Sequence, residues 1–256
     1  MFARFSAELA EPALLLVLGT AFVAGFVRGM AGFGAALILT PVFSAFYTPV
    51  VAIPVLGFAD WVMSMPMVLR SFRRCAWGEV LPLALSAVVT VPLGSYVLAA
   101  TSPDVLRMGI SIFVLLALGA LASGWRYRGT PTMPGALGVG GAGGGVGGGA
   151  IGMSGPPVVL FWLGGQADAG QARTNTLAFF GVSALATMTM YVVNNLLTAR
   201  VIVLAIILMP IYGLGLFLGS RAFRLLPERV FRFVAFSLIE ESAAFRSLRD
   251  MSLAAT

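Results

Sequence analysis

The sequence predicts an all-α membrane protein: about eight transmembrane helices in two repeated four-helix halves, with Gly/Pro-broken helices. Three observations predict it. Apolar residues make up 59 % of the 256 positions and charged ones only 10 %, against a usual charged share of about 25 %, too few polar groups to cover a globule in water. Long stretches contain no Asp, Glu or Arg at all. A set of glycines and a proline in the first half reappears, in order, in the second.

Composition also removes whole classes of chemistry. There is no His and no Lys, and Cys75 is the single cysteine. Zinc-ligand sets, Ser–His–Asp triads, Cys–His dyads, Walker lysines and Schiff bases are therefore out of reach of one chain. The expectation is a protein that is not an enzyme and needs no cofactor or metal. All positive charge is Arg, net +6, and it falls in short gaps between apolar runs, as in loops at a membrane surface. A nucleic-acid partner would instead ask for a basic face with aromatic platforms.

Taken in order, the uncharged runs are Pro12–Val27, Val80–Pro103, Met108–Trp125, Gly129–Ala167, Thr174–Ala199 and Val201–Ser220. Between Gly29 and Leu69 the only charge is Asp60. A spanning helix takes roughly 20 apolar residues, so this stretch holds two passes, or one pass and a broken segment, with Pro41, Pro49 and Pro54 as break points. The N-terminal run follows Arg4, but Glu8 and Glu11 stand where a signal peptide would be basic; it reads as the first transmembrane helix. Trp61, Trp77, Trp125 and Trp162 fit interfacial belts. Asn194 and Asn195 fit the end of a helix before Arg200. Arg70, Arg73 and Arg74 share one gap and Arg126 and Arg128 another, while Arg221 and Arg224 fall on the opposite side of an eight-helix count, so the orientation stays open.

Gly25, Gly29, Gly32 and Pro41 recur as Gly141, Gly145, Gly148 and Pro157, each 116 residues on (157 − 41). Gly94-Ser95, Val105 and Arg107 recur as Gly219-Ser220, Val230 and Arg232, each 125 on (219 − 94). The resulting boundaries are residues 1–128 for a first repeat, 129–239 for a second and 240–256 for a polar tail. Duplicated halves with Gly/Pro-interrupted helices at matching places are a feature of secondary transporters.

Twelve of the twenty-one residues from Gly135 to Gly155 are Gly. Small-xxx-small spacings such as Gly25/Gly29 and Gly141/Gly145 suit close helix packing. The ends of these runs suit something else. Gly152-Met153-Ser154-Gly155-Pro156-Pro157 must stop a helix, and a stopped helix offers bare N–H groups to an anion. Ser154 adds a hydroxyl, and Thr40 precedes Pro41 in the matching segment. A charge at mid-membrane is costly, so Asp60 is either paired, with Arg28 its candidate partner, or acts as a proton-coupling acid. Arg173 and Asn175 form a second polar cluster. The candidate binding set is Arg28, Gly29, Gly32, Thr40, Ser154, Gly155 and Asn175, with Asp60 as coupling residue.

The segment Gly25-Phe-Val-Arg-Gly29-Met-Ala-Gly32-Phe-Gly34-Ala-Ala-Leu-Ile-Leu-Thr-Pro41 resembles the first glycine motif of the sulfite exporter TauE/SafE family, the toluene sulfonate uptake permease group. Gly152-Met-Ser-Gly-Pro-Pro157 is similar to its second-half motif, and the likeness extends over about residues 12–239. The resemblance implies a multi-pass protein of the bacterial inner membrane that moves small sulfur-containing anions, such as sulfite or organosulfonates, on an ion gradient. Its partners would be the anion and the lipid bilayer, with a homo-oligomer left open. Two departures stand out: Arg28 replaces a usually small polar residue, and the last apolar run, Val230–Ile239, is short. A passive anion channel and a non-transporting helical scaffold are the rival readings.

Overall fold

A computed structural model describes residues 12–122, 133–163 and 169–225; the tail 240–256, Trp125 and the short run Val230–Ile239 lie outside them. All regular structure among the described residues is helical. In chain order these are α1 (Pro12–Ala31), α2 (Ala35–Phe46), α3 (Pro49–Phe72), α4 (Trp77–Ala100), α5 (Pro103–Ala122), α6 (Met133–Gly138), a π-helical stretch (Val139–Val146), α7 (Gly147–Ile151), α8 (Gly155–Leu163), α9 (Ala169–Val193) and α10 (Ala199–Leu225). Five of them, α3, α4, α5, α9 and α10, are long and apolar enough to cross a bilayer.

The glycine segments fold back on themselves. Helices α1 and α2 make a hairpin with its tip at residues 32–34. Val17 near the start of α1 and Tyr47 just after α2 share one apolar cluster with Val201 and Leu204 at the start of α10. Both ends of the hairpin therefore sit at the same end of the molecule. The rod Met133–Ile151 and α8 form a second hairpin with its tip at residues 152–154. Ala136 and Trp162, at its two open ends, share a cluster with Val80 and Ala172 at the starts of α4 and α9.

Glycine decides how each hairpin docks. Along α1, Gly25 lies on the backbone of Tyr212 and Gly29 on that of Leu216 and Ser220, while Gly219 of α10 lies on Phe26 and Met30. Numbers rise together, so α1 and α10 run parallel. The rod of the second hairpin runs parallel to α4 in the same way: Gly145 lies on Ala87 and Thr90, and a Cβ at Gly149 would stand 2.8 Å from both Val91 O and Ser95 N. Any side chain at these positions would push the helices apart, the reason small residues line close membrane crossings. The π-helical turns Val139–Val146 widen the rod where Gly143 meets Pro157 and Gly144 meets Phe179; such widened turns are uncommon and favour functional sites.

Several sequence expectations change. Pro41 and Pro54 are interior to α2 and α3 rather than break points. In a bilayer neighbouring groups re-satisfy the backbone a proline frees, whereas Gly32 and Gly34, at φ +85° and +99°, reverse the chain. Pro49 does open a helix, at the first turn of α3. Because residues 29–69 make a hairpin arm and one crossing, Arg70 and Arg221 lie at the same end of the molecule, not at opposite ends, and line one groove. Trp162 is a core residue edge-on to Phe179 rather than an interfacial one. Asn195, at φ +55°, ends α9 as its position suggested.

Candidate functional site

The tips of the two hairpins meet. A Cβ placed on Gly155 would lie 3.6 Å from Cβ of Phe33. Beside them, between α3 and α9, is a cavity of about 250 Å³. Helices α2 and α8 both begin on it, through Gly34, Ala35 and Ala36 on one side and Ser154, Gly155 and Pro156 on the other. No side chain caps the first turn of α2. Its leading N–H groups therefore face the cavity with the positive end of a helix dipole. The prolines at 156 and 157 leave α8 fewer donors, which Ser154 supplements with a hydroxyl.

Arg28, Asp60, Trp61 and Ser64 reach the cavity from α1 and α3. Arg28 is buried, 4 % exposed, and its guanidinium is committed. Nε donates to Asp60 Oδ1 at 3.0 Å and Nη2 to Oδ2 at 2.9 Å, Nη1 donates to the Gly32 carbonyl, and the group lies 4.5 Å from the centre of the Phe180 ring. Tyr212 Oη donates to Asp60 Oδ1 at 2.6 Å. This is a bidentate charge-assisted pair with a third member, Tyr212, which carries no sequence signal because it sits in an apolar run 152 positions from Asp60. Ser64 is buried on the cavity wall, and the buried Nε1–H of Trp61 lacks a partner among the described residues. Trp61 is thus a cavity residue, not a belt residue.

The candidate residues divide. Arg28, Asp60, Ser154 and Gly155 line the cavity, and Gly32 sits at its edge through the carbonyl held by Arg28. Gly29 packs on α10 and its carbonyl accepts from Arg173 Nη2 at 2.6 Å; Arg173 Nε also donates to Met30 O at 3.1 Å. Thr40 is buried in α2, away from the lining, with an unpartnered hydroxyl. Asn175 is remote: its Oδ1 accepts from the Ala76 N–H at 2.9 Å and its Nδ2 donates to Glu79 at 3.0 Å, pinning the α3–α4 turn. Ser64, Trp61 and Tyr212 were missed because single polar residues on apolar helices carry no spacing signal.

Helices α3 and α9 approach each other closely at two places on the cavity wall. Met188 and Tyr191 lie over Gly57, within 3.2 and 3.3 Å of where its Cβ would be. Val68 and Phe72 lie over Gly181 at the other crossing.

No group of three or more carboxylate, Cys or His side chains that could hold a metal occurs among the described residues. No curated protein and no solved structure matches the chain. Residues 17–242 match the protein family described as Sulfite exporter TauE/SafE, a family of membrane transporters rather than enzymes. Two glycine hairpins meeting beside a small cavity, five apolar helices long enough to cross a bilayer and a match over most of the chain lead to one statement: the protein is a multi-pass membrane protein of the TauE/SafE sulfite exporter family.

Proposed function

We propose that the chain is a secondary transporter of the inner membrane that carries a small sulfur oxyanion, sulfite or an organosulfonate, through the cavity between its hairpin tips. The observation that carries this reading is the convergence of two helix N-termini, Ser154, Ser64 and the Trp61 N–H on about 250 Å³ of space, below the roughly 300–1,000 Å³ of drug-sized pockets. Anions need no Lys where bare amides point at them.

The two hairpins, on this reading, head two repeats of inverted topology. Gly25, Gly29 and Gly32 correspond to Gly145, Gly149 and Gly152, each 120 residues on and in matching contacts, one helical turn from the 116-residue register of the bare motifs. Inverted repeats exchange access by rocking one against the other about a central site. The crossings over Gly57 and Gly181 would be the two gates. A passive channel would need a path open through both.

Arg28 suggests how the anion is coupled. The guanidinium edge that would grip an oxyanion is filled by Asp60. A proton on Asp60 removes that competitor, so anion and proton enter together and move the same way. Net flow then follows the combined gradients, outward when the anion accumulates inside. The arginines Arg70, Arg73 and Arg74 place their end in the cytoplasm by the positive-inside tendency.

The test is sulfite flux in proteoliposomes. An acidic exterior should drive accumulation in the native protein. Asp60→Asn should abolish pH-driven accumulation yet keep sulfite exchange at equal pH, and Ser154→Leu should abolish both. Native flux in Ser154→Leu would remove the site, and pH-driven accumulation in Asp60→Asn would remove the coupling. Cys75 checks orientation: burial raises its thiol above the ordinary range. An impermeant maleimide should therefore label it only from the cytoplasmic face, slowly at neutral pH and faster as pH rises.

A further inference from the structure

A second, larger recess lies on the outside of the molecule. Helices α3 and α10 run parallel, and between them, with Pro66 and Pro210 in its lining, is a groove of about 570 Å³. Its walls are soft and apolar, with Met63, Met67, Met209 and Phe217 along them. Arg70 and Arg221 stand at one end, both exposed. Neither forms an ion pair or side-chain hydrogen bond among the described residues; Arg221 stacks 4.3 Å over the Phe217 ring, which leaves its N–H edges open.

We propose that this groove binds one anionic phospholipid, its phosphate held between Arg70 and Arg221 and one acyl chain laid along the methionines. From Ile206 to Arg221 the groove follows fifteen residues of helix, about 22 Å at 1.5 Å per residue. One leaflet's hydrocarbon is about 15 Å, half of the core thickness, so the arginines reach the headgroup level when the chain lies in the groove. Their charge has no counter-ion among the described residues, and guanidinium forks match phosphate oxygens. A zwitterionic lipid would bring its own cation to the same place. Unbranched thioether side chains adapt to a flexible chain better than β-branched ones would. The inference is independent of what the central cavity carries.

Native mass spectrometry of the full chain in detergent, titrated with phosphatidylglycerol and with phosphatidylcholine of identical chains, tests it. Two arginines at an anionic surface should give a roughly 30-fold preference for phosphatidylglycerol. Arg70→Gln and Arg221→Gln should each remove about half of that preference on a logarithmic scale, and the double variant all of it, so the single variants suffice if the double one is not recovered. Gly213→Leu, which displaces Met63 into the groove, should weaken both lipids alike. Equal retention of the two lipids, or an unchanged preference in the arginine variants, would overturn the proposal. So would loss of the bound lipid to millimolar inorganic phosphate, which would mean a free-anion site. A photoreactive residue at Met67 that cross-links to residues 226–256 or to a second copy, rather than to lipid, would overturn it too.

Discussion

At the first hairpin tip, backbone carbonyls end on arginines: Gly29 and Met30 accept from Arg173, and Gly32 accepts from Arg28, itself held by Asp60 and through it by Tyr212. At the second tip no charged side chain among the described residues takes part. The rod closes on its own backbone, with Met153 N–H donating to Gly147 O at 3.2 Å and Gly152 N–H to Gly148 O at 3.1 Å, around Gly152 in the left-handed region, the αL type of helix ending. The proposed 120-residue register matches Arg28 with Gly148 and Asp60 with Phe180, and Phe180 is the ring on which Arg28 lies. One tip is therefore an electrostatic assembly tied to α3, α9 and α10. The other is a chain reversal supported by glycine, with widened helical turns behind it. Tip one holds position; tip two has the looser hold and the free hydroxyl of Ser154.

The largest effect should come from unbalancing tip one. Asp60→Leu leaves Arg28 buried without its carboxylate, a loss of about 3–5 kcal/mol, while Ser154→Ala at tip two should cost under about 1 kcal/mol. Thermal unfolding in detergent measures both. Arg28→Met with Asp60→Leu should recover most of the loss, since a buried pair replaced whole by apolar residues is often neutral. The double variant should nevertheless carry no sulfite. A stable Asp60→Leu protein would mean that the ion pair does not hold the first tip.

Part of this contrast is written in the sequence. The stop at Gly152–Pro157 is legible because Gly and Pro act locally, and Arg28 with Asp60 is legible because two charges in apolar runs must find each other. The hairpins are not. Their arms have the same apolar composition as the crossings, and only the long-range docking of Gly25 on Tyr212 or Gly149 on Val91 shows how they pair. In a glycine-rich tract several registers also align equally well, so the motif positions cannot separate the 116-residue match from the 120-residue one. Arg173 and Asn175 read as one cluster because they are neighbours in sequence, but two residues along a helix face different ways. One reaches the first tip, and the other reaches Ala76 and Glu79.

A middle-sized effect should follow from Arg173. Its two bonds to Gly29 and Met30 are charge-assisted, and losing such bonds costs about 1.5–3 kcal/mol each before relaxation. Arg173→Gln should lower the unfolding temperature clearly while leaving the cavity lining unchanged, so the sulfite concentration for half-maximal flux should stay near the native value. A shift in that concentration without a stability loss would reverse the assignment and make Arg173 a binding residue.

The smallest effects separate the tips most finely. Gly32 and Gly152 both have positive φ, +85° and +71°, so alanine at either carries the left-handed cost of roughly 1–2 kcal/mol. At Gly32 a Cβ would also stand 2.8 Å from Cγ of Arg173, which must move and loosen its hold on the first tip. At Gly152 the nearest atom is Cγ2 of Ile53, at 3.1 Å, a contact that gives by a few tenths of an ångström. Gly32→Ala should therefore lower stability more than Gly152→Ala, and Asn, which tolerates this region better, should rescue position 152 but not position 32. If transport depends on the second tip changing shape, Gly152→Ala should slow sulfite flux by more than its stability loss accounts for, because the substitution stiffens the one reversal that no side chain holds. Equal stability losses at 32 and 152, with Asn rescuing both, would mean the arginines are incidental to the first tip and the contrast between the two ends there.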